Sequence, residues 1–196
     1  MAFKPSNPLF AFLAQNGEMW PFSKAKHQAF DKRVEQATAL LLDPLERHSA
    51  AVINMAAGQS WRETHYDAFA VIAREVLFFE LHLASRLAVK AQAEDGETPF
   101  MEAMISMTAK RAPEVMRPRF HDEYAARERF YTQFAAFKPE DDQSYEGTLF
   151  WEFSKLILKV AEQKPEASKL QGLNVLCGDM LRGIDAGFAQ LGIHGR

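Results

Sequence analysis

Apolar residues recur at helical spacing through most of the chain, and no run alternates with the period of two that a half-buried strand requires. The longest stretch of this kind runs from Ser60 to about Glu94. It contains neither Pro nor Gly before Ala93, so roughly 34 residues of helix, about 50 Å, could form without interruption. Ser60 followed by Glu63 has the spacing of a capping box and marks the expected start. A chain of this length has a radius of gyration of about 16 Å, so such a helix must bend or let its polar end project.

At about 100° per residue, Trp61, His65, Phe69, Ile72, Val76, Phe79, Leu83 and Leu87 form one broad stripe. Val71, Phe78 and Val89 widen it on one flank, and Leu77 with several alanines widens it on the other. A helix apolar on nearly every side has to be enclosed by its neighbours. The expected fold is therefore all-α: a single globular helical domain of seven or eight helices around this central one.

Shorter segments supply the enclosing layer. Asn7-Pro8 with Gly17 brackets a short N-terminal helix, and Met19-Trp20-Pro21-Phe22 extends it into an aromatic arm. Residues 1–22 are read as this arm and 23–196 as the domain. Ser23 to Leu42 forms a half-exposed helix, and Asp43-Pro44 opens another that ends at Gly58 and carries His48 at or near the surface. Beyond the central helix lie a Met-rich helix from Thr98 to Pro113, an aromatic one from about Pro118 to Phe137, a bulky one from Tyr145 to Gln163, and a last one ending before Gly192. Gly183 and Gly187 in that last helix would allow a close helix approach.

Polar residues inside the central helix are the exceptions that need an account, because a buried charge is costly unless it is paired. Glu75, His82 and Arg86 share one flank, His65 lies within the main stripe, and Glu80 stands on the opposite shoulder. Two readings are open for them: structural pairing with neighbouring helices, or convergence on an apolar pocket as ligand-binding groups, joined by Tyr124 from a neighbouring helix.

Composition narrows the function further. A formal net charge of -3 argues against general nucleic-acid binding, which needs a basic surface. The single cysteine, Cys177, excludes an internal disulfide, and with no secretory leader evident the cytoplasm is the expected compartment. The apolar run from Pro8 to Ala14 is far below the ~20 residues that span a bilayer, so no membrane span is expected. Sixteen Phe point to a core, pocket or interface rich in aromatic area.

Phosphate loops, nucleophile elbows and the His-Glu-x-x-His metal motif are all missing. Glu46/His48, Glu63/His65 and Glu80/His82 are each two residues apart, about 200° around a helix, so neither member of a pair can share a metal with the other. No cofactor is expected. The leading expectation is a non-catalytic binding protein that holds a partner protein, another copy of itself or an apolar small molecule. The alternative is an enzyme of unfamiliar type with an acid-base site beside the central helix.

Overall fold

The computed structural model describes residues 21–92, 98–137 and 145–193, so the expected N-terminal helix and most of the arm lie outside the described residues. Eight α-helices and one 3-10 turn are present among them, with no strand. They are α1 (Pro21–Leu42), α2 (Leu45–Ala57), α3 (Gln59–Thr64), α4 (Tyr66–Gln92), α5 (Thr98–Arg111), the 3-10 turn Glu114–Met116, α6 (Phe120–Tyr131), α7 (Leu149–Val160) and α8 (Ala167–Gln190). The chain is all-α. It divides into two compact units, Met1–Arg33 and Val34–Arg196. The described part of the first, from Pro21 onward, is helical; everything below concerns the second.

At the centre of this unit, α4 packs against α2, α5, α6, α7 and α8. Ile72, Val76, Leu77, Phe79, Leu81, Leu83 and Ala84 are fully buried, which covers the stripe and the Leu77 flank; on the other flank Phe78 is buried but Val71 and Val89 are exposed. Phe79 stacks on Phe153 of α7 with ring centroids 3.9 Å apart and meets Tyr131 of α6 edge-on at 5.8 Å. Phe78 meets Phe120 in the same edge-on way at 5.2 Å. Most of the large buried side chains are Phe, and seven of the sixteen Phe lie in this core.

The predicted single helix is interrupted near its start. His65 has φ -130° and ψ 54°, outside the helical region, and separates α3 from α4. Side chains account for the break: the Thr64 hydroxyl donates to the Trp61 carbonyl at 3.1 Å, and the His65 ring stacks on Trp61 at 4.6 Å. Such local bonds compete with the helical ladder at an exposed first turn. Helix α3 begins at Gln59 after Gly58, whose φ of 84° suits glycine, so Ser60 is inside the first turn and does not cap it.

The two helices after the 3-10 turn are shorter than their sequence patterns. Helix α6 starts only at Phe120, behind Arg119 in a left-handed conformation (φ 58°), and ends at Tyr131. Helix α7 starts at Leu149, where the Thr148 hydroxyl accepts from the Trp151 amide at 3.4 Å. Residues 134–136 between them adopt no regular structure. The carbonyls of Ala136 and Phe137 accept from the first amides of α7, at 2.9 and 3.1 Å.

Candidate functional site

Helix α4 carries its buried polar residues on two opposite sides. On the first, Glu75, His82 and Arg86 follow one another at seven and four residues and so line up along the axis. Helix α6 and the segment after it supply their partners. Glu75 is buried and is held bidentately by Arg127, whose Nε donates to Oε2 at 2.5 Å while Nη2 donates to Oε1. The Glu75 bond raises the Arg127 pKa further above its already high ordinary value.

The next residue of α6, Glu128, acts as the hub. Its Oε2 lies 2.8 Å from His82 Nδ1 and accepts from the Tyr124 hydroxyl at 3.1 Å. Burial, reinforced by this carboxylate, pushes the Tyr124 phenol well above its ordinary range, so it stays a donor. His82 is completely buried, and its Nε2 has no hydrogen-bond partner. Arg86 lies at the end of the row, donating from Nη1 to the Phe134 carbonyl at 2.9 Å and from Nη2 to the Ala135 carbonyl. Its guanidinium sits 4.1 Å above the Phe137 ring. Burial lowers its pKa, with Glu128 opposing.

A groove of about 690 Å³ opens over this end of the row. His82 and Arg86 line one wall, Glu128 and residues 134–137 the other, and Val89, 62% exposed, stands at the mouth. Among the described residues only two of the five guanidinium N–H groups of Arg86 find acceptors, and Glu128 Oε1 finds no donor. The groove therefore offers an apolar surface with a guanidinium donor and a carboxylate acceptor, beside the hydroxyls of Ser85 and Thr132. Its volume falls in the range of small-molecule sites.

Glu80 is on the other side of α4. It is 1% exposed, its Oε1 meets Nδ1 of His48 on α2, and its Oε2 has no partner. Burial raises its pKa against the opposing effect of His48. His65, expected within the apolar stripe, is instead exposed, because the break that separates α3 from α4 turns its ring outward onto Trp61.

Of the six candidate residues, His82, Arg86 and Tyr124 thus gather around Glu128, Glu75 lies one step along with Arg127, and Glu80 and His65 lie apart. Glu128, Phe137 and the pairing of His48 are the additions. Glu128 stands four residues after Tyr124, a spacing that puts the two side chains together, but nothing in the order of residues points across 46 positions to His82. Among the described residues no three His, Cys, Asp or Glu side chains converge as a metal site would need. The chain matches no family model, and neither a curated protein nor a solved structure is similar to it.

Proposed function

We propose that the protein is a non-catalytic helical binding protein whose groove beside Arg86 takes a small, mainly apolar molecule bearing one polar group. One observation carries the reading. Fully buried His82, Arg86 stacked on Phe137, and exposed Val89 line a single groove, and its unused polar atoms include one guanidinium edge, one carboxylate oxygen and the buried Nε2 of His82. An apolar body would rest on Val89 and Phe137, and a polar head would bridge Arg86 and Glu128.

Saturation of the neighbouring ionisable groups supports binding over acid-base chemistry on this flank. Both Glu75 oxygens are engaged by Arg127, and Arg86 is tied to backbone carbonyls. The basic residues from 110 to 129 favour no nucleic-acid partner: Arg111 pairs with Glu35 and Arg127 with Glu75. An intracellular setting accords with a lone buried thiol, Cys177. No helix among the described residues is long and apolar enough to cross a membrane.

The test combines native mass spectrometry with titration of 1-anilinonaphthalene-8-sulfonate, an aromatic probe with one anionic head. Saturable binding to a 22.2 kDa monomer, weakened at least ~10-fold by Val89→Asp, is the expected result. Val89 is exposed, so the substitution spares the core. A ligand-free monomer that ignores the probe would sink the reading, and a concentration-dependent dimer blocked by the same substitution would replace it with self-association.

A further inference from the structure

A second groove, of about 700 Å³, lies where α2 and α8 meet the C-terminal half of α1, and His48 is in its wall. Behind His48 is the buried Glu80 carboxylate, touching Nδ1. The imidazole is about one-quarter exposed, so its Nε2 is the atom left for a ligand. Arg47, next in the chain, lines the same groove and makes no ion pair in the described structure. Leu40, Met180 and Ile184 supply an apolar floor.

Proton counting fixes what Nε2 can offer. With the Glu80–His48 pair deprotonated to a carboxylate and a neutral ring, the ring proton sits on Nδ1 facing the carboxylate, and Nε2 is an acceptor. Once the pair takes up one proton in the space between Nδ1 and the facing Glu80 Oε1, whichever of the two atoms holds it, Nε2 carries a hydrogen and donates. An anionic ligand therefore selects the protonated pair. The other charges facing the groove are Asp43 and Asp179. Asp179 is neutralised by Arg182, which leaves Asp43 against Arg47 beside a protonated pair that is neutral overall.

We propose that this groove is a second ligand site, for a small monocarboxylate with an apolar body, whose carboxylate accepts from His48 Nε2–H and from Arg47. Glu80 positions His48 and holds the countercharge on the far side of the ring. The site shares no lining residue with the groove beside Arg86 and stands or falls independently of it.

Benzoate is the probe, with benzylamine as the same body carrying the opposite charge. In NMR spectra of the full-length protein with labelled histidines, benzoate should shift the His48 ring resonance saturably and benzylamine should not. Arg47→Glu, a change at an exposed position, should weaken benzoate at least ~10-fold while leaving the melting temperature unchanged. Val89→Asp should leave benzoate binding intact. Preference for benzylamine, an unmoved His48 resonance at ~20 mM benzoate, or equal affinity in Arg47→Glu would each overturn the assignment.

Discussion

At the scale of single residues, the energetics of α4 are those of buried charges whose partners come from other helices. Removing Arg127 leaves the Glu75 carboxylate buried with both oxygens unanswered. Arg127→Met should therefore cost about 2–4 kcal/mol, somewhat below the full value for a deeply buried pair because Arg127 is 35% exposed. Adding Glu75→Leu should restore most of that loss, since the uncompensated charge goes with it. Urea unfolding of the two variants measures both terms, and a double variant no more stable than the single one contradicts the account.

Glu80 makes the complementary case, a carboxyl whose burial outweighs its partner. Its folded pKa is raised, so the folded state holds the proton more tightly than the unfolded chain does. The stability tied to this proton is fully present below the ordinary carboxylate value of about 4.3 and is lost as pH rises from there through the folded value. Glu80→Gln does not titrate. Its melting temperature relative to the natural protein should therefore be more favourable at pH 8 than at pH 5, and a difference independent of pH would show that His48 compensates the charge completely.

Among the elements, the last helix shows how far spacing alone leads. Gly183 and Gly187 look equivalent in sequence, four apart on α8, yet they face different surroundings. A methyl group on Gly187 would lie 2.5 Å from Cδ1 of Leu40 and 3.2 Å from its Cγ, whereas one on Gly183 would meet nothing within 4 Å. Gly187→Ala should cost about 1–3 kcal/mol through overpacking. Gly183→Ala should stabilise by roughly 0.5–1 kcal/mol, because alanine is the better helix former and nothing obstructs it. Thermal melts of the two proteins decide the matter, and shifts of the same sign would refute the assignment of the close approach to Gly187.

Helix boundaries follow the same pattern. The stripe from Ile72 to Leu83 is unmistakable in sequence because deep burial on all sides leaves a run of large apolar residues with no polar face. The interruption at His65 has no such signal, since it depends on the fit of one imidazole against one indole. Polar segments at helix ends were similarly opaque: residues 132–137 keep a near-helical composition but leave the helix, and their carbonyls bind Arg86 and the start of α7 instead.

On the scale of the whole molecule, the all-α fold and the central position of one helix were legible because hydrophobic periodicity is a local property. The sites were only half legible. The row Glu75, His82, Arg86 stands out as polar residues on an apolar helix, but its partners lie about fifty residues further along the chain, as Arg127, Glu128 and residues 134–137. His48, ordinary by its own local context, acquires meaning only from the packing of α2 on α4.

That arrangement has a mechanical consequence. Glu80 grips α2 from one side of α4, while Glu75, His82 and Arg86 grip α6 and the segment behind it from the other, about 120–160° away. Greasy side chains would let such a rod roll between its neighbours at modest expense, whereas a roll of a single position would strip every one of these ions of its counterpart together. The rod is keyed like an axle on opposite sides, so the two grooves keep a fixed bearing on each other.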